Sequence, residues 1–202
     1  MRKPEFKKIW RLAIPFLQKC RPGDLLHTVV AIRHLEEIIQ GEGEGIDEDI
    51  LMPAIILHDI GWSRCPEELV KNFFTDVKDA DTKKELRIQH MEVGAILSRD
   101  VLEQVHWDHT KIKKIVSIIA KHDIPDQMTS PMDKIVFDAD FSWRYSSEGF
   151  YLDLSRFVKD TNFTPEEAIK RLERDKDKLK TVTGKKIALR ELSTRKREIL
   201  IL

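Results

Sequence analysis

Residues 55–61 read IILHDIG: an aliphatic run, then His58 and Asp59 side by side, then Gly61. The run is typical of a buried helix, and its end admits two interpretations. Gly61 is a common helix stop, and His58 is favourable near a helix C-terminus. Alternatively, an imidazole and a carboxylate beside a buried segment form a ligand pair for a metal ion. The choice depends on whether other ligand-type residues also lie on apolar helix faces.

The composition limits the class of protein. The chain has 202 residues, of which 41% are hydrophobic, and its 35 Lys and Arg balance 35 Asp and Glu. This length suits a single domain over 1–202 that buries a sizeable core. The zero net charge argues against nucleic acid as a partner, because phosphate binding favours an excess of Lys and Arg. A small phosphorylated ligand, held by one or two basic groups, is compatible with it.

The sequence also gives expectations about location. The segment after Met1, RKPEFKKIW, is charged and lacks the apolar core of a signal peptide. No apolar run approaches the roughly 18 residues that a membrane span needs. Cys20 and Cys65 lie far apart and suggest no disulfide framework, which fits a reducing compartment. We therefore expect a cytoplasmic protein with no membrane partner. The charged C-terminal segments, balanced in sign, allow a homo-oligomer.

The dominant hydrophobic period is helical, and no alternating strand pattern of useful length occurs. Pro15 is expected to end or kink the first helix, and the GEGEG stretch at 41–45 to close the second. Thr82 and Glu85 form a T-x-x-E capping box for a later helix. The predicted helices cover 5–17, 24–40, 47–59, 66–74, 82–100, 111–122, 131–145, 164–180 and 184–200. The predicted fold class is all-α, a compact helical bundle.

Imidazoles and carboxylates lie within or beside the apolar stripes of five predicted helices. Such groups need partners, because an unpaired ionisable group is costly to bury. A shared metal ion would partner all of them, and their donor atoms suit Fe, Mn, Co, Ni or Zn, with Mg also open. Each histidine taken singly is more often a satisfied core residue, and spacing alone does not show that they converge. The candidates are His27, His58 with Asp59, His90, His122 and Asp140.

The remaining histidines are interpreted differently. His34 is expected to be an ordinary buried residue, although it shares a helix face with His27. His106 and His109 stand three residues apart in the polar HWDHT loop, which is expected to cap the next helix.

The order and context of the candidates resemble the HD-domain superfamily of metal-dependent phosphohydrolases. LLHTVVAIRHLEEI (25–38) looks like the first helix of that superfamily, ILHDIGWS (56–63) like its signature, and IVFDADF (135–141) like its closing helix. QHMEVGAIL (89–97) and SIIAKHD (117–123) resemble the segments that hold a second metal in some members. The resemblance covers about 24–145 and leaves about 146–202 as a helical C-terminal extension.

The resemblance implies that His27, His58, Asp59 and Asp140 hold one divalent ion. It implies that Asp59 bridges to a second ion at His90 and His122. The expected activity is hydrolysis of a small phosphate ester or nucleotide by a metal-bound hydroxide, with Asp59 as the catalytic residue. Whether one or two ions bind, and which metal, stays open.

One departure bears on substrate binding. Many relatives that cleave nucleotides carry a basic residue directly after the last aspartate, where this chain has Phe141. Arg144, four residues beyond Asp140 on the same helical face, is a candidate phosphate ligand, and Lys121 beside His122 is another. A surface salt bridge of Arg144 with Glu148 is the alternative.

Two other functions fit the same residues. A small branch with the HD fold uses a di-iron site to activate oxygen, and the predicted ligand set permits this chemistry as well. A non-catalytic regulatory module is the third alternative. The complete ligand set counts against it, because a domain that only binds partners has no need of six metal ligands.

Overall fold

A computed structural model describes residues 3–43, 45–71, 73, 79–156 and 163–200. In these ranges the chain forms α-helices joined by turns and short 3₁₀ segments, with no strand. The all-α fold class is therefore confirmed. The helices are α1 (Pro4–Leu17), α2 (Asp24–Glu42), α3 (Glu48–Leu57), α4 (Glu67–Lys71), α5 (Ala80–Gln104), α6 (His109–Ile119), α7 (Pro131–Ser142), α8 (Ser147–Arg156), α9 (Pro165–Asp175) and α10 (Val182–Ile199). Over the same ranges, no helix is both long and apolar enough to cross a bilayer.

The start of α5 differs from the sequence prediction. Its N-cap is Asp79, whose carboxylate accepts hydrogen bonds from the backbone N–H and the hydroxyl of Thr82. Aspartate is a strong N-cap, so the helix begins at Ala80 and Thr82 lies within its first turn. At α7 the expected start is observed, with Ser130 as the N-cap in a capping box with Asp133.

The ends of α1 and α2 lie at or near their predicted positions. Pro15 does not end α1, because the buried stripe of this helix continues to Leu17 and its packing keeps the last turn helical. Helix α2 runs through Gly41 and ends at Glu42, within the GEGEG stretch as predicted, and its C-cap Gly43 has a φ of 90°. A Cβ atom on Gly41 would lie 2.3 Å from Thr183 Oγ1. Gly41 is therefore required by the close approach of α10 rather than by a turn.

Helix α2 is central and packs against α3, α7 and α10, while α5 packs against α6 and the 3₁₀ segment Ile60–Arg64. The main hydrophobic cluster includes residues from α1, α2, α3, α5, α6 and α7. A second cluster includes Tyr145, Phe150 and Leu172 and extends through the C-terminal helices. The sequence did not indicate α8, which contributes Phe150 to this cluster. The C-terminal helices thereby lie against α2 and α7, the helices that carry His27 and Asp140.

Candidate metal centre

The six predicted ligands lie together in the interior. His27 is in α2, His90 in α5 and Asp140 in α7, whereas the other three lie one to three residues beyond the ends of α3 and α6. All of them except Asp140 are at most 3% exposed. Five segments that are distant in sequence therefore deliver one buried cluster of imidazoles and carboxylates.

The Asp59 carboxylate stands between two pairs of imidazoles. Its Oδ2 lies 3.5 Å from His27 Nε2 and 3.4 Å from His58 Nε2. Its Oδ1 lies 3.4 Å from His90 Nε2 and 3.6 Å from His122 Nε2. Each carboxylate oxygen faces one pair, which is the arrangement that a carboxylate bridging two ions requires.

A further carboxylate accompanies each half of the cluster. Asp140 Oδ1 lies 3.0 Å from His27 Nε2 and 3.6 Å from His58 Nε2. In the other half, ligand atoms of His90, His122 and Asp123 lie within 4.8 Å of one another. Asp123 was not among the sequence candidates, although it directly follows His122. Both halves therefore offer the mixed nitrogen and oxygen donors that divalent transition metals take.

The imidazole tautomers indicate that a cation fits this cluster. His58 Nδ1 lies 2.8 Å from the carbonyl oxygen of Ile55, and His122 Nδ1 lies 2.8 Å from that of Ile119. A carbonyl oxygen only accepts, so both Nδ1 atoms carry a proton, and in its neutral form each ring directs an Nε2 lone pair inward. His58 Nε2 lies 2.9 Å from His27 Nε2. A bound cation would coordinate these Nε2 lone pairs and the nearby carboxylate oxygens, which otherwise face one another.

The electrostatics of the individual ligand residues differ. Burial disfavours a charged His58, but Asp59 and Asp140 outweigh burial and raise the pKa of His58 well above its ordinary value. Burial likewise disfavours ionised Asp59, but His58 and Arg21 hold its pKa well below the ordinary value. In the other half, burial and the neighbouring His122 lower the pKa of His90 well below its ordinary value.

Arg21 and Trp62 orient the central carboxylate. Arg21 Nη2 donates to Asp59 Oδ2 at 2.8 Å, and Arg21 Nε donates to Asp24 Oδ2 at 3.0 Å. The indole N–H of Trp62 donates to Asp59 Oδ1 at 3.1 Å, and its ring stacks on His90 at 4.2 Å. Sequence reasoning missed both residues. Trp62 directly follows the HDIG stretch, whereas no local pattern distinguishes Arg21.

Gly61 has a different role from the helix stop considered above. Helix α3 ends at Leu57, and Gly61 lies in the following 3₁₀ segment. A Cβ atom at Gly61 would lie 1.9 Å from the His90 carbonyl oxygen and 2.5 Å from the Gly94 nitrogen. The glycine therefore allows the HD segment to pack directly on the α5 backbone, next to His90.

The two predicted phosphate-binding cations lie in different surroundings. Arg144 Nη1 lies 3.9 Å from Asp175, and its guanidinium lies 4.1 Å from the centre of the Phe141 ring. Glu148, its alternative partner, instead accepts two hydrogen bonds from Arg33. Lys121 donates to Asp133 at 2.8 Å and thereby supports the cap of α7.

The other histidines stay outside the cluster. His34 is buried, and its Nδ1 lies 2.8 Å from Ser142 Oγ. His106 and His109 line a separate surface depression beside Trp107. His109 begins α6, and Asp108 supplies the N-cap that was expected from the HWDHT loop.

A cavity of about 170 Å³ opens onto the cluster at His27, Asp59 and Asp140. Arg144 lines this cavity, whereas Lys121 does not. The cations along its wall are Arg21, Lys83, Arg87, Arg144, Arg156 and Arg171. Five aspartates line the same cavity: Asp24, Asp59, Asp123, Asp140 and Asp153. The side-chain charges therefore nearly balance, and bound divalent ions would make the cavity suited to an anionic ligand.

A family model of the HD domain matches residues 25–141. The chain belongs to the HD-domain family. The predicted family resemblance is thus confirmed, and the HD dipeptide is His58–Asp59. A solved structure with a similar fold is that of a predicted HD superfamily hydrolase from an uncultured Thermotogales bacterium. The two chains align with a TM-score of 0.64 at 21% identity, over 98% of this HD-domain chain and 91% of the other. No curated protein sequence matches at a significant level.

Proposed function

We propose that this HD-domain protein is a metal-dependent phosphohydrolase that acts on a small phosphorylated substrate, such as a nucleotide. The observation that carries the proposal is the cavity at the ligand cluster, with its six Arg and Lys side chains. A phosphate ester in this cavity would meet the metal centre on one side and guanidinium groups on the other. Guanidinium groups match the geometry of phosphate oxygens.

The ligand residues define what the chain contributes. When bound, divalent ions act as Lewis acids on a phosphoryl oxygen and lower the pKa of a coordinated water, which supplies the nucleophile. His27, His58 and Asp140 would hold one ion, and His90 and His122 the other. Asp59 would bridge them, with its two oxygens fixed by hydrogen bonds from Arg21 and Trp62. Arg144, on the cavity wall beyond Asp140, would bind a phosphate group of the substrate.

Oxygen activation at a di-iron site is the competing chemistry, since the ligand set alone fits both. The cationic wall favours hydrolysis of a phosphate ester, because the departing ester oxygen gains negative charge in the transition state. A purely regulatory role is disfavoured by the buried, convergent ligands, which a partner-binding surface does not need.

The test is a screen of phosphate release from nucleotides and sugar phosphates under argon, with the protein loaded in turn with Mn, Co, Ni, Fe and Mg. For a substrate that is cleaved, the reaction is repeated in ¹⁸O-labelled water. Hydrolysis predicts turnover without oxygen and one ¹⁸O atom in the phosphate or in the other product. Turnover that requires oxygen would overturn the proposal, as would an inactive protein that binds no metal.

A further inference from the structure

The cations of the cavity wall fall into two groups. Arg21 is hydrogen bonded to Asp24 and Asp59, and Arg156 Nη1 donates to Asp153 at 3.2 Å. These two arginines are mostly buried, with side-chain exposures of 14% and 8%. The charges of these two arginines are therefore paired with carboxylates that line the cavity. Both arginines serve to position those carboxylates.

The second group, which we name the cation cluster, consists of Lys83, Arg87, Arg144 and Arg171. Lys83 and Arg87 stand one turn apart on α5, Arg144 follows α7, and Arg171 belongs to α9. Three separate segments thus bring positive charge to the same cavity.

Three members of the cation cluster, Lys83, Arg87 and Arg144, have few carboxylates within reach. Over the described part of the chain, no carboxylate lies within 4.0 Å of Lys83 or Arg87. Arg144 meets Asp175 only at 3.9 Å, and its Nε is buried without a hydrogen-bond partner among those residues. Aromatic rings lie beneath two of the cations: Lys83 Nζ is 5.7 Å from the centre of the Phe73 ring, and Arg144 lies over Phe141.

The members of the cluster also repel one another. Burial and then the charge of Arg144 lower the pKa of Arg171 below its ordinary value, although Asp153 and Asp175 act in the opposite direction. Burial, followed by Arg87 and Arg171, lowers the pKa of Lys83. Like charges gathered at the wall of a cavity reduce stability unless an anion binds among them. The metal centre accounts for one phosphate, and the cluster offers charge for a second anionic group.

We propose that the cation cluster is a second anion subsite, which binds an anionic group of the substrate other than the phosphate held at the metal centre. The preferred substrates would then carry two or more linked phosphate groups, whereas monophosphates would use only the metal end of the cavity. This inference rests on the proposed function, because it takes the metal centre as the place of the first phosphate.

The test measures binding of inorganic orthophosphate and tripolyphosphate by calorimetry to metal-loaded protein that has been freed of excess metal. The variant is Lys83→Gln with Arg87→Gln. Its matched control is Lys84→Gln with Arg99→Gln, which removes the same charge from exposed positions of α5 outside the cavity. Chelation of metal by the probe affects all proteins alike, so the comparison between variants isolates the cluster. Circular dichroism and metal analysis check that each variant is folded and loaded.

The wild type should bind tripolyphosphate more tightly than orthophosphate. The Lys83 and Arg87 variant should lose about tenfold or more in tripolyphosphate affinity, as expected for lost charge-assisted contacts, and little in orthophosphate affinity. The control should match the wild type. The proposed subsite would be contradicted if the variant lost equal affinity for both probes, or lost affinity for neither. Binding of two orthophosphate ions per chain with no preference for tripolyphosphate would also contradict it. Failure of orthophosphate to bind any loaded protein would instead contradict the proposed function itself.

Discussion

The guanidinium of Arg21 lies 2.8 Å from Asp59 Oδ2, the same oxygen that faces His27 and His58. Arg21 also bonds Asp24, whose pKa is raised by burial and by Asp59 despite the opposing effect of Arg21. Arg21 therefore joins two buried carboxylates that would otherwise repel each other. A metal ion at Asp59 would supply positive charge at the same place.

Replacing Arg21 should destabilise the metal-free protein more than the metal-loaded one. Removing one partner of a buried ion pair leaves an uncompensated charge, so Arg21→Gln should lower the free energy of unfolding by about 3–5 kcal/mol. Bound metal should restore part of this loss, and urea unfolding with and without metal measures it. The control is Arg33→Gln, which breaks a more exposed pair with Glu148 and should cost under about 1 kcal/mol. Equal losses with and without metal would contradict this role.

The contact between Gly61 and α5 gives a second prediction. Gly61→Ala places a methyl group 1.9 Å from the His90 carbonyl, where only backbone movement can make room. We expect a loss of at least about 3 kcal/mol in unfolding free energy and a lower metal content, because His90 is displaced. At Gly94 the nearest atoms would lie 3.5 Å away, an ordinary contact, so Gly94→Ala should be mild. Similar effects of the two substitutions would refute the packing argument.

His34 predicts a pH dependence of stability that is separate from the metal site. Burial lowers the pKa of His34 to about 4, below the ordinary value of about 6.5 for an unfolded chain. The unfolded state therefore binds a proton first as the pH falls. The stability present above pH 6.5 is lost progressively down to about pH 4, and roughly 2 kcal/mol is lost by pH 5.

Denaturant unfolding of the wild type and His34→Gln at pH 8 and pH 5 measures this contribution. The loss on acidification should be smaller in the variant by about 2 kcal/mol. Other titrating groups are common to both proteins and cancel in the difference. An unchanged pH dependence would show that His34 is not the buried neutral residue described here.

The fold class and the candidate ligands could be predicted because their signals are local. Helical periodicity indicated most of the helices, and the contexts of His27, His58–Asp59 and Asp140 carried the family resemblance. Gly61 was considered as a helix stop because its actual neighbours, His90 and Gly94, are about 30 residues away in sequence. Contacts between distant segments leave no local pattern.

The cations of the cavity wall also could not be fully predicted from local sequence. Arg144 was predicted from its position one turn after Asp140, whereas Arg21 and Arg171 reach the cavity only through tertiary packing. Lys121 stands beside His122 in sequence, yet its side chain points to Asp133. Sequence adjacency to a ligand therefore does not determine which cations share its cavity.

Whether Asp59 bridges two ions is tested most directly by the metal content per chain after reconstitution and removal of excess metal. The wild type should hold two ions, and His90→Ala combined with His122→Ala should hold one. Asp59→Ala, which removes a ligand from both halves, should lose more metal than any single histidine variant. An Asp59→Ala protein that keeps two ions and full activity would contradict the account.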